Sequence, residues 1–295
     1  MDRITIFLAM LLSVFSSVSL AAWDAYWVKH TLTNDRGQSV NVFRYRTPSS
    51  TSQVVVLNGG LGTVNEGQIE QYNYMGDYFA RRGRQVVVLG FDYYGSFGHD
   101  TRTAAQNTGD TIRSVMDANL INQGFWLYST AGGSLMASGM LDYNLTDSKY
   151  GTRLVDVCDR VIFISGPAHG ITRNDIENSA ILNLMISKGV WSLDSLDEGL
   201  SYAQRQTNWI ITLLQKNNGI RFVYAADDNV YCANPLVPCA SPSMPEAVND
   251  WVLNLTDGQY TAQGLTNYGL LKVLPSGGHD PLLVRPDEIL NFVSN

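Results

Sequence analysis

Gly277-Gly278-His279-Asp280-Pro281 follows the strand-like run Leu270–Pro275 and leads into the helical pattern Leu282–Phe292. A histidine held between glycines and a proline-started helix is poorly placed to pack a core. It is well placed to reach past a sheet edge and move a proton. Such a base needs a group to deprotonate and an acid to orient it. Two other strand ends offer them, Ser129-Thr130 and Asp227-Asp228.

The hydroxyl pair closes Phe125-Trp126-Leu127-Tyr128 and precedes Ala131-Gly132-Gly133. Strand, hydroxyl, small residues and helix in that order make a nucleophile elbow. Its turn is so tight that the residues two before and two after the nucleophile are normally small. Counting back from Gly132-Gly133 puts Thr130 at the nucleophile position. Counting from Ser129 puts Ala131 two residues on. Strand alternation favours Thr130. Chemistry favours Ser129, because the threonine methyl crowds attack. Neither register has glycine two residues before: one has Tyr128, the other Leu127. A plain strand–helix junction with a hydroxyl cap is the bland alternative.

The acid follows Phe222-Val223-Tyr224-Ala225-Ala226. A carboxylate just past a strand end can accept the histidine N–H and fix its tautomer. Asp228 is the first choice and Asp227 the second. The three groups occur in the order hydroxyl, acid, histidine, each after a strand, an order that separates this triad from those of other folds.

These residues need a sheet to carry them, and the chain alternates strand-like and helix-like segments as a mostly parallel sheet with helices on both faces requires. Trp27–Thr33 and Ser39–Tyr45 flank Asn34-Asp35-Arg36-Gly37 as an antiparallel hairpin. Val54–Leu57, Val86–Leu89, Phe125–Tyr128, Val161–Ile164, Phe222–Ala225 and Leu271–Leu274 read as further strands. Helices are expected over Gln68–Arg82, Thr108–Leu120, Ala131–Leu141 and Pro245–Leu255. From Ala168 to about Asn218 no strand pattern appears. That stretch reads as a helical cap, ending in a crossover helix around Ala203–Lys216. Its apolar residues, among them Leu182, Ile186 and Trp191, either wall a pocket or pack on the body.

The N-terminus is a separate segment. Arg3, the apolar run from Ile4 and Ser19-Leu20-Ala21 form the pattern of a secretory signal. Residues 1–21 are therefore expected to be removed, leaving 22–295 as one domain in a secreted or periplasmic protein. In that compartment Cys232 and Cys239, which bracket a proline-containing loop, are expected to pair. Cys158 reads as a buried, inert thiol. No later segment is long and apolar enough to span a membrane.

Composition narrows the function. The net charge of −7 argues against a broad nucleic-acid surface. No glycine-rich run has phosphate-loop or dinucleotide spacing, so no nucleotide cofactor is inferred. No second cysteine or histidine lies at zinc-ligand spacing.

From about Trp27 to Phe292 the chain resembles the α/β-hydrolases of the esterase, lipase and acyltransferase kind. The resemblance rests on the segment Gly277–Leu290 and on Leu57-Asn58-Gly59-Gly60-Leu61-Gly62, which resembles the family's oxyanion loop with Asn58 in place of its histidine. It implies an α/β-hydrolase fold and an oxyanion hole built from the N–H groups of Gly60 and Ala131. It also implies cleavage of a carboxylic ester or thioester, a small or lipid-like acyl substrate, without a cofactor. A peptidase or acyltransferase would use the same groups. The irregular elbow keeps open a catalytically silent protein that only binds.

Overall fold

The computed structural model describes residues 23–47, 50, 52–57, 64–90, 101–141, 153–168, 179, 183, 186–187, 208–216, 219–228, 248, 250, 252 and 264–295. The signal segment, Gly60, Cys232, Cys239 and most of the expected cap lie outside the described residues.

The strands are β1 (Trp27–Thr33), β2 (Ser39–Tyr45), β3 (Gln53–Leu57), β4 (Gln85–Gly90), β5 (Phe125–Thr130), β6 (Cys158–Ile164), β7 (Ile220–Ala225) and β8 (Leu271–Leu274). They form one sheet in the order β1-β2-β4-β3-β5-β6-β7-β8. The first two pairings are antiparallel, and the rest are parallel. The hairpin turn is set by Asn34, whose Oδ1 accepts the N–H groups of Arg36 and Gln38. Gly37 supplies a φ of 78° that a side chain would resist.

The helices are α1 (Asn73–Ala80), α2 (Thr101–Asp117), α3 (Gly132–Leu141), α4 (Leu154–Val157), α5 (Asn208–Gln215), α6 (Gly264–Asn267), α7 (Pro281–Val284) and α8 (Pro286–Ser294). Strands β3 and β4 are buried along their whole length, which is why they read as unbroken valine runs instead of alternating. One face packs Val55, Leu57, Leu127 and Phe163 against α2, α3 and α5. The other packs Val54, Val56, Tyr128 and Ile162 against α1 and α8. Both faces are therefore covered, as the alternating pattern requires.

Several boundaries differ from the sequence pattern. The expected helix 68–82 divides into a 3-10 turn, Ile69–Tyr72, followed by α1. The expected C-terminal helix breaks at Arg285, because Pro286 cannot donate the N–H that would continue α7. Strand β5 runs two residues further than expected, to Thr130. Phe125 and Trp126 straddle a register shift against β6, a bulge that sequence alternation does not reveal.

Helix α1 meets the sheet at Gly76. A Cβ there would lie 2.3 Å from the Tyr45 ring. That ring is held edge-on by Trp27 at 5.0 Å, and its hydroxyl donates to Asp77. Gly76→Ala should gain about 1 kcal/mol of helix propensity. It should lose more, about 1–3 kcal/mol, to overpacking. A fall of several degrees in the thermal midpoint is expected, and an unchanged or raised midpoint would refute this packing account.

Candidate active site

The site lies at the carboxyl ends of β5, β7 and β8. After β7 the chain turns through Asp227 and Asp228; after β8 it turns through Gly277 and Gly278 into His279. The two aspartates divide the work. Asp227 Oδ1 accepts the N–H groups of Gly277 and Gly278, both at 2.8 Å. It thereby ties the β8 loop to the end of β7. Gly278 holds a φ of 62°, which a glycine adopts without strain.

Asp228 faces the imidazole. His279 Nδ1 lies 3.0 Å from Oδ2 and 3.2 Å from Oδ1 of Asp228. A carboxylate acceptor fixes the proton on Nδ1 and assigns Nε2 to proton transfer. The Asp228 side chain is 7% exposed and that of His279 31%, so the pair is sheltered while the ring still reaches solvent. Burial opposes the imidazolium. The charge and hydrogen bond of Asp228, with the charge of Asp280, outweigh it and hold His279 above its ordinary range. Burial, with the charges of Asp280 and Tyr72, raises the Tyr128 hydroxyl well above its ordinary range.

The elbow is built differently from the sequence expectation. Because β5 continues to Thr130, the turn falls one residue later. Thr130 still stands in the ladder opposite Ile164. The tip is Ala131, with a φ of 46°, and α3 begins at Gly132. A residue bearing a Cβ pays about 1–2 kcal/mol for that conformation. Read from this tip, Ser129 is the small residue two before and Gly133 the small residue two after, which is the spacing an elbow needs.

Ser129 is completely buried. Its hydroxyl donates to the Ile162 carbonyl at 2.9 Å and lies 3.4 Å from Ser134 Oγ. It is a structural hydroxyl beneath the turn. Thr130 is half-buried and alternates onto the Tyr128 face of the sheet. The N–H of Ala131, expected in the oxyanion hole, instead donates to the Ile164 carbonyl at 3.0 Å. The next amide, Gly132, opens α3, where N–H groups have no partner within the helix. The Ala131 N–H is thus taken up at the sheet edge, while that of Gly132 lies at the start of α3. Gly60, the expected companion of Ala131, lies outside the described residues.

A supporting layer was not legible beforehand. Gly166 sits so close to the elbow that a Cβ would fall 2.3 Å from Ser134 Cβ and 2.5 Å from the Ala131 carbonyl oxygen. Its own carbonyl accepts the buried Tyr224 hydroxyl at 2.8 Å. The strand-end sequence Ser165-Gly166-Pro167 was the available sign of a close approach. Cys158 is buried and outside any disulfide, and burial pushes its thiol up to about 12, which disfavours the thiolate. Within the stretch expected to form the cap, Ile186 packs against the main core. Among the described residues no group of His, Cys, Asp and Glu could hold a metal ion. No described helix is long and apolar enough to cross a membrane.

No protein-family model matches the chain, and no curated protein matches it. Solved structures do. A puromycin-hydrolyzing peptidase from Mycobacterium tuberculosis aligns with 94% of this chain at 11% identity and a TM-score of 0.59. This chain spans only 40% of that peptidase. An esterase from Pyrococcus furiosus aligns over 94% of both chains at 12% identity, TM-score 0.56. Esterase B from Lactobacillus rhamnosis aligns over 99% of this chain and 93% of its own, at 13% identity and TM-score 0.54. The strand order, the helices on both faces and these likenesses together show that the chain has the α/β-hydrolase fold.

Proposed function

We propose that the chain is an exported hydrolase of carboxylic esters or thioesters in which His279 moves the proton and Asp228 orients it. The observation that carries this reading is the Asp228–His279 pair, with both carboxylate oxygens within 3.2 Å of Nδ1 at the ends of neighbouring strands. A sheltered carboxylate that orients an accessible imidazole is the working half of a hydrolytic triad. The esterases among the similar structures favour esters. The peptidase among them makes an amide substrate the natural extension of the test. Turnover of a panel of short acyl esters, thioesters and aminoacyl amides by the wild type, compared with His279→Ala, tests the reading. No turnover of any member would remove it.

A second reading is favoured by one observation. Ala131 at the elbow tip carries no nucleophile, as in a protein that keeps the fold for binding alone. Binding of the same substrates without turnover would select it.

Export rests on the N-terminal pattern alone. N-terminal sequencing of the exported protein should start near Ala22, and Met1 still in place there would overturn it. The Cys232–Cys239 disulfide belongs to the same proposal. Closing so short a loop should contribute on the order of 2 kcal/mol. Non-reducing peptide mapping should join the two and leave Cys158 free; two free thiols in exported protein would end that idea.

A further inference from the structure

We propose that the attacking group is a water molecule seated over Ala131, so that hydrolysis proceeds in one displacement without an acyl-enzyme. The inference rests on the hydrolase reading and specifies its chemistry. Four observations carry it. The strained tip, where an elbow presents its nucleophile, is Ala131, with only a methyl group. That tip is nevertheless held rigidly: its N–H donates to Ile164, its carbonyl accepts the Ser134 N–H at 3.0 Å, and Gly166 packs against it. Of the neighbouring hydroxyls, Ser129 is buried and committed to Ile162, and Thr130 stands in the sheet ladder before the turn. Meanwhile the Asp228–His279 pair is fully assembled. Among the described residues the elbow tip offers the base a methyl group and no hydroxyl, and water then becomes the group it deprotonates.

The step balances without further reagents. A lone pair of the water oxygen attacks the carbonyl carbon as its proton passes to His279 Nε2. The carbonyl electron pair moves onto oxygen, beside the Gly132 N–H at the start of α3. Collapse restores the carbonyl and breaks the carbon–oxygen or carbon–sulfur bond. The leaving group then takes the proton from the imidazolium, which Asp228 has stabilised throughout. The products are the free acid and the alcohol or thiol.

The test is made on the full mature chain with chromogenic acyl esters. Wild-type turnover should persist after incubation with a fluorophosphonate, with no added mass and no pre-steady-state burst. Ala131→Ser should gain one adduct and a burst. Should that variant not fold, methanol partitioning in the wild type decides. A shared acyl-enzyme gives one ratio of methyl ester to acid for every leaving group, whereas direct attack gives ratios that change with the leaving group. A wild-type adduct on Thr130 that abolishes turnover, a burst, or a constant partition ratio would overturn the water route while leaving the hydrolase reading intact. Absence of any turnover would instead remove the hydrolase reading and this inference with it.

Discussion

Replacing His279 with alanine should lower acyl turnover on the order of 10³-fold, because attack loses its proton acceptor. The side chain is partly exposed and outside the main core, so the variant should fold normally by circular dichroism. Steady-state kinetics on the folded protein check the result, and full activity there would refute the base assignment. The pH profile adds a signed expectation. The base must be neutral to accept a proton, and His279 is held above its ordinary value of 6.5. The acid limb of the rate should therefore lie above 6.5, with activity falling as pH drops through it. Stability runs the other way. A raised histidine contributes fully below its unfolded value, and that contribution is lost as pH rises through the folded value.

Asp228→Asn should be the second largest loss, about 10²-fold or more. An amide can donate to Nδ1 as well as accept from it, so the ring would favour the tautomer with its proton on Nε2 and could no longer act as base. Removing the carboxylate should also lower the histidine, which moves the acid limb downward in whatever activity remains. Asp227→Asn separates the two neighbours. Its amide oxygen can still accept from Gly277 and Gly278, but without the charge that strengthens both bonds. Activity should change only a few-fold, with a stability loss of about 1 kcal/mol. Rates and thermal melts on both variants are the measurements. A severe loss of rate in Asp227→Asn with a mild one in Asp228→Asn would exchange their roles.

Much of this molecule was written in one dimension. The valine runs at 54–56 and 86–88 had to be central strands, because only a sheet covered on both faces buries every residue of a run. The Asn34–Gly37 turn fixed the antiparallel hairpin through local hydrogen bonds. The β8–Gly-Gly-His segment and the Asp pair after β7 were legible because strand ends, turn residues and ionisable groups are all local signals. The sheet order then brings those two segments side by side. What the sequence did not determine was the register of the elbow. Ser129, Thr130 and Ala131 differ only in which of them follows the last ladder position. That position is set by pairing with β6, through a bulge at Phe125 and Trp126 and through the Ala131 bond to Ile164. A one-residue change in where a strand ends exchanges a buried hydroxyl, a ladder residue and a strained tip. Only the tertiary structure decides it, because the competing partners lie more than thirty residues away along the chain, where no local pattern can register them.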